Sequence, residues 1–305
     1  MVVLKPKTQQ GKRVLESRGP KLLENNKKTM VMKGAKTSDA VSKALKDLYS
    51  MKKPDAVMLS KRNEFRPFED ETPVEGLSSK MDASLFLFGS HSKKRPHNLV
   101  MGRMFNHQVL DMFELGTEGY KGFDSFKNSK TAMGSKPCLI FNGTDWENSL
   151  LYKRLKNMLI DFFRGPVVEK VRLVGLEQAL TFTLSEGRVY ARNYKILLKK
   201  SGSKKPRVEL EEIGPSFDFI VRRHKLGSES MYKDALKVPR AIKPKKKKNV
   251  SHDAFGSKLG RIHMQKQDVK KMQLRKMKGL KQTRQEKLAK LKANKQAKSG
   301  QDSGE

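Results

Sequence analysis

Residues 208–223 read VELEEIGPSFDFIVRR, and no other stretch restricts the fold so tightly. Val208 and Leu210 alternate with Glu209 and Glu211; beyond Gly214-Pro215, Phe217, Phe219 and Val221 alternate with Asp218, Ile220 and Arg222. A period of two on both sides of a break predicts a pair of sheet strands, each with one buried face. Proline has no amide to give a ladder and glycine tolerates positive φ, so the chain must leave the sheet at Gly214-Pro215 and re-enter it. Glu209, Glu211 and Glu212 are then expected near Asp218, Arg222 and Arg223, a polar seam in which carboxylates and guanidinia neutralise one another. General acid–base work by the same carboxylates needs a pocket, which the sequence does not show.

Upstream, the signals alternate between helix and strand. Ser38 is a good N-cap for a helix carrying Val41, Leu45, Leu48 and Tyr49, stopped by Pro54. Residues 63–80 are acidic and Pro-rich and read as a connection. Leu85 to Gly89 is a short apolar run of the kind found in a strand covered on both faces. A basic turn follows, and Asn98 caps a predicted helix whose Met101, Met104, Phe105, Val109, Met112 and Phe113 recur at three and four spacing up to Gly116. Cys138 to Phe141 is another apolar run. Thr144 and Glu147 have capping-box spacing before a long helix with Leu151, Leu155, Met158, Leu159 and Phe162, ending at Gly165-Pro166. Val171–Val174, Leu180–Leu184 and Val189–Leu198 then read as successive strands, with turns at Ser185-Glu186-Gly187 and Ser201-Gly202-Ser203. The expectation is an α/β fold whose second half is richer in strands.

Charge divides the chain further. There are 66 lysines and arginines against 32 aspartates and glutamates, a formal net charge of +34. Such a chain attracts polyanions, nucleic acid above all. Residues 1–36 read as a basic extended arm, 37–78 as a helix and linker packed on the core, 79–239 as the core, and 240–305 as a basic tail. By composition the tail carries roughly half of the net charge in about a fifth of the length. Residues 264–295 favour helix, yet their apolar positions are too sparse for a heptad seam, so a helix formed on contact with RNA or protein is expected. No long apolar run or signal segment occurs, and a soluble intracellular protein with no membrane association is expected. The single cysteine, Cys138, excludes an internal disulfide and a cysteine-based zinc site and reads as a buried, inert thiol.

Catalytic constellations are missing. Gly116 to Gly122 contains glycines but follows a predicted helix and lacks the Gly-Lys-Ser/Thr close of a phosphate loop. The six histidines are dispersed without metal-ligand spacing, and no Gly-x-Ser-x-Gly elbow is present. No catalytic residue, metal or cofactor is therefore expected. Binding has more behind it: Lys93, Lys94, Arg95 and His97 leave a strand end and lead to the expected helix N-terminus at Asn98, with Arg103 about one turn on, an arrangement that favours phosphate. Aromatic interleaving is absent locally, so backbone and shape recognition is expected over base reading. An RNA-modifying or RNA-cleaving enzyme using His97 or His224, and a general basic nucleic-acid-binding protein, remain as alternatives.

FGSHSKKRPHNLVMGRMF, DMFELG, LLIDFFRGP, GLEQALTFT, NYKILLKKSG, VELEEIGPSFDFIVRR and the tail blocks KPKKKKNVSHDAFGSKLGRIHMQKQD and RKMKGLK resemble the Brix-domain family of ribosome assembly factors. The likeness runs from about Lys5 to Lys281. It implies a duplicated α/β unit similar to an anticodon-binding domain, although no residue-level repeat is visible. It also implies a non-catalytic nucleolar factor that works as an obligate pair with the regulator of ribosome synthesis. That pair would bring 5S ribosomal RNA, with its two large-subunit ribosomal proteins, to the large-subunit precursor and support processing of its RNA. Carried over by position, Lys93, Lys94, Arg95, His97, Asn98 and Arg103 become candidate RNA contacts. Lys245, Lys246, Lys247 and Lys248 fit an RNA clamp and a nuclear import signal. Arg261 and His263, with Arg275, Lys276 and Lys278, would bind RNA or a ribosomal protein.

Overall fold

The computed structural model describes residues 6–19, 21, 24–128, 130–132, 134–168, 170–202, 205–238, 247–262, 264, 266–268, 272 and 281–299. It divides into two units, Met1–Pro244 and Lys245–Glu305. The first opens on α1 (Gln9–Arg18), which Thr8 caps and which buries no side chain. The arm expected over residues 1–36 ends inside the sheet: β1 (Thr29–Gly34) has Met30, Val31 and Met32 at most 1% exposed. A short apolar run flanked by lysines gives no local periodicity, but between two neighbouring strands both of its faces are covered.

Ser38 does cap α2 (Asp39–Lys52), its hydroxyl accepting the Val41 amide, and Val41, Leu45 and Leu48 are buried. A strand not expected from the sequence follows, β2 (Ala56–Asn63), and the stretch 63–80, read as a connection, contains α3 (Thr72–Met81). Its acidic and proline residues are helix-start chemistry: Asp70 accepts the Thr72 amide and Pro73 sits in the first turn. Strand β3 (Leu85–Ser90) is covered on both faces as expected.

The helix expected from Asn98 is instead a hairpin of β4 (Asn98–Phe105) and β5 (Gln108–Lys121). Asn106 and His107 both take positive φ, 52° and 62°, in the two-residue turn. Strands buried on both faces carry no period of two, so their apolar spacing imitates a helix. After β6 (Cys138–Asn142), the single helix expected is broken at Ser149 into α4 (Asp145–Asn148) and α5 (Leu150–Phe163), and Thr144 makes no capping bond. Cys138 is only partly buried. Val171–Val174 is no strand; a 3-10 turn occupies Leu173–Gly175. The expected strands return as β7 (Gln178–Ser185) and β8 (Arg188–Lys199), followed by β9 (Arg207–Glu212), β10 (Ser216–Leu226) and α6 (Glu229–Leu236).

Ten strands form one sheet in the order β2-β1-β3-β4-β5-β10-β8-β7-β6, with β9 also on β8. The order exposes the duplication that residues alone did not. In the first half, β1 is parallel to β3, reached through α2, β2 and α3, and β3-β4-β5 is an antiparallel meander. The second half runs β6, α5, a parallel β7, then β8 and β10 antiparallel. The two meanders meet edge to edge where β10 pairs antiparallel with β5. Both crossover helices, α2 and α5, cover the same sheet face, packing on Leu87, Phe113, Phe182 and Phe219. The other face of the first half, with Met30, Phe86, Phe88 and Met112, is covered by Val74 of α3 and its neighbours.

β9 and β10 do not form the pair expected of them. Both lie along β8, with Tyr194 opposite Glu212 and Ala191 opposite Phe217, so Ile213-Gly214-Pro215 is an offset within one strand path. Gly214 has φ +69°, and a Cβ there would meet the Phe126 ring at 2.3 Å. The seam therefore has other partners: Glu209 pairs with Lys199 and Arg207, whereas Glu212 and Asp218 both meet Arg192. Among the described residues no helix is long and apolar enough to cross a membrane. In the second unit, β11 (Val250–His252) and β12 (Lys258–Gly260) form a hairpin, and α7 (Arg284–Ser299) is a separate helix.

Close packing in the first half makes one position a sharp test. A Cβ on Gly102 would stand 2.2 Å from the ring of Phe86, itself 0% exposed. Gly102→Ala is expected to lower stability by about 1–3 kcal/mol, seen as an earlier urea midpoint at unchanged m-value; an unmoved midpoint would contradict the packing.

Candidate nucleic-acid interface

The basic turn 91–97 is shaped by its own polar groups. The Ser92 hydroxyl accepts the Arg95 amide, and the His91 amide donates to the Lys36 carbonyl at 2.8 Å. His97, with φ 47°, donates its amide to His91 Nδ1, and its own Nδ1 lies 2.9 Å from the Ser38 hydroxyl that caps α2. This turn is thereby tied to the β1–α2 connection. Lys93 and Lys94 are left exposed.

Connections from the parallel strands run to opposite faces, α2 to one and α3 to the other, so chain order reverses between β1 and β3. Open α/β sheets form a ligand crevice at the carboxyl ends of strands at such a point. Here there is a cavity of about 830 Å³, walled by residues 34–36 after β1, 63–69 after β2 and 90–95 after β3. Lys36, Arg66, Lys93, Lys94, Arg95 and Arg223 line it together with Glu64, Glu69 and Glu114. Phe65 and Phe68 contribute ring surface, Phe65 stacked on Phe88 at 5.5 Å and Phe68 beneath the Arg223 guanidinium at 4.5 Å. Lys36, Arg66, Phe65, Phe68 and Arg223 were not legible as site residues. They lie far from the basic turn in sequence, and only the parallel pairing of β1 with β2 and β3 gathers most of them.

Glu114 organises the wall. Its side chain is 1% exposed and accepts from Asn98 at 2.8 Å, from Arg95 at 3.4 Å and from Arg223 Nη2 at 3.1 Å, with Arg223 Nε closer still. Burial alone would push its pKa up, but hydrogen bonds from Arg223 and Asn98 and the charges of Arg223 and Arg95 outweigh burial and hold the carboxyl below the ordinary glutamate range.

Two expected contacts have different duties. Asn98 is the first residue of a strand, not a helix cap, and its side chain is buried between Glu114 and Arg222. Arg103 is 6% exposed; it grips Asp111 through Nε at 2.9 Å and Asp161 through Nη1 at 3.1 Å, beneath Tyr232 of α6. With the helix gone, the dipole argument for phosphate at Asn98 goes too. His224 lies exposed on β10 against Phe113.

In the second unit Lys247, Lys248 and Arg261 are exposed beside the β11–β12 hairpin, and the Arg261 amide closes it onto the Asn249 carbonyl at 2.7 Å. Phe255 stands 96% exposed at the hairpin turn. Lys245, Lys246, His263, Arg275, Lys276 and Lys278 lie outside the described residues.

Comparison with known proteins places this mixed α/β sheet in a family. The Brix domain model matches residues 34–223. The chain belongs to the Brix-domain family, whose match starts at the end of β1. Within the family it is similar to ribosome production factor 2 homologs. It is 56% identical to that of Homo sapiens over 258 residues, covering 85% of this chain and 84% of the human protein. Against that of Drosophila melanogaster it is 46% identical, covering 93% and 89% of the two chains, and against that of Arabidopsis thaliana 45%, covering 96% and 95%. The protein is a ribosome biogenesis factor.

Because Glu114 has a lower pKa folded than unfolded, it adds stability above the unfolded value near about 4.3, and that contribution is lost as pH falls through the folded value. Glu114→Gln is expected to cost about 3 kcal/mol at neutral pH, with the gap to the unmodified protein closing in unfolding titrations below about pH 4. A gap that ignores pH would show that the carboxylate charge is not what holds Arg95 and Arg223.

Proposed function

We propose that the protein is a non-catalytic scaffold that binds 5S ribosomal RNA with its two large-subunit ribosomal proteins and recruits them to the large-subunit precursor in the nucleolus, supporting processing of the precursor RNA. The observation that carries the reading is the cleft at the switch point, where six cations face three carboxylates on a chain whose net charge is +34. Similarity to ribosome production factor 2 homologs supports a role in ribosome production. Lys93 and Lys94 supply phosphate contacts on the folded unit, Arg95 adds positive charge beside them while paired with Glu114, His97 holds their turn, and the lysine run 245–248 with Arg261, His263, Arg275, Lys276 and Lys278 adds further contacts from the tail. Nuclear import fits the same lysine run. Gradient sedimentation of cell extract tests the reading: the protein is expected to travel with large-subunit precursors and 5S RNA, and its absence from those fractions would end it.

Replacing Lys245, Lys246, Lys247 and Lys248 by glutamine in the full chain is expected to flatten the dependence of log affinity on log salt, by about one for each phosphate that the run neutralises. Titration of 5S RNA across a salt series measures it; an unchanged slope would remove this run from the interface.

The companion chain, the regulator of ribosome synthesis, has a suitable surface. In the second half the sheet face opposite α5 leaves Ile140, Leu198, Val208 and Leu210 between 36% and 58% exposed, whereas α3 covers the corresponding face of the first half. An uncovered apolar sheet face marks an interaction site. Leu210→Asp is expected to abolish co-purification of the companion while leaving the thermal midpoint within a few degrees; retained co-purification would direct the search to another face.

A further inference from the structure

We propose that the cleft at the carboxyl ends of β1 and β3 receives one unpaired nucleotide of an RNA strand, its base against Phe65 and Phe68 and its phosphate held by Lys36, Lys93 and Lys94. The proposal rests on the RNA-binding reading above and gives that site its ligand.

Size and recess come first. A volume of about 830 Å³ falls within the roughly 300–1,000 Å³ of sites that enclose small organic ligands. A duplex keeps its bases stacked inside and presents only its outside to a recess, whereas an unpaired nucleotide can be splayed out and inserted. The lining has the two chemistries a nucleotide needs. Phe65 and Phe68 give aromatic surface, and the Arg223 guanidinium lying over Phe68 at 4.5 Å adds a planar cation on which a base can stack.

The charges sort themselves by partner. Arg66 is engaged by Glu69, and Arg95 and Arg223 by Glu114. Lys36, Lys93 and Lys94 have no ion-pair partner among the described residues, yet they line the same cleft. Three lysines without a carboxylate beside an aromatic floor suit a phosphodiester entering and leaving the recess. Free mononucleotides share this chemistry, but Lys93 and Lys94, which line the cleft, are also exposed to solvent, so they can follow a strand on to its next phosphate.

The test uses the full chain and two labelled RNAs, a single strand of about 12 nucleotides and its duplex, at about 0.15 M salt. Phe68→Leu and, separately, Phe65→Leu keep the apolar volume and remove stacking. Each is expected to weaken single-strand binding about tenfold, within the range for loss of one base–aromatic stack, with duplex binding unchanged. With 4-thiouridine at unpaired positions, photo-crosslinks are expected on peptides containing Phe65, Phe68 or residues 90–95. Equal loss on both RNAs, no loss on either, or crosslinks confined to the tail would overturn the proposal while leaving RNA binding intact. Complete displacement of the strand by millimolar adenosine monophosphate would overturn it in favour of a free-nucleotide site. Failure of the unmodified chain to bind either RNA would overturn the RNA-binding reading itself.

Discussion

Strand β10 lies antiparallel to β5 from Ser216 opposite Lys121 to Leu226 opposite Asp111, and this ladder holds the two halves as one sheet. Each half is a crossover and a meander whose last strand would otherwise end as an open edge of unpaired amides and carbonyls. Joining the two last strands removes both edges at once. It also stacks Tyr120 on Phe217 and continues the core from Leu115 and Phe113 to Phe219 beneath α2 and α5. Two register shifts interrupt the ladder, one between Val221 and Arg223. That shift sets Arg223 opposite Glu114, so the irregularity that joins the halves also builds the wall of the cleft.

The buried acid is what allows a basic surface to be rigid. Guanidinia crowded around a cleft repel one another unless an anion lies among them, and a carboxylate out of water is tolerable only when its lone pairs are satisfied. Glu114 meets both needs with Arg95, Arg223 and Asn98. Arg103 follows the same rule on the other face, where Asp111 and Asp161 fix β4 to α5. Cations with carboxylate partners set the shape of the wall, whereas Lys36, Lys93 and Lys94 have no ion-pair partner among the described residues.

Long-range attraction and fixed geometry are assigned to different segments. The second unit has a high density of positive charge in its sequence, its described residues are nearly all exposed, and Asp253 accepts the Phe255 and Ser257 amides in the β11–β12 turn. Such a segment strengthens association in a salt-dependent way without selecting a site. Selection needs groups held at set distances, and those are on the sheet.

Taken alone, the sequence determined the net charge, the basic tail, α2 with its Ser38 cap, the apolar face of α5, and β3, β7 and β8. Charge is additive, and capping and amphipathic periodicity are local, so each can be read within a few residues. The hairpin of β4 and β5, the insertion of β1, the shared partner of β9 and β10, and the burial of Asn98 and Arg103 were settled only by tertiary structure. A strand covered on both faces loses its alternation, and whether a cation meets a carboxylate depends on chain brought from elsewhere: Asp161 lies far beyond Arg103 on a different element. The cleft is the plainest case. Phe65 and Lys93 line one cleft because β2, β1 and β3 end side by side, and strand order is fixed by the packing of the whole sheet rather than by any one segment.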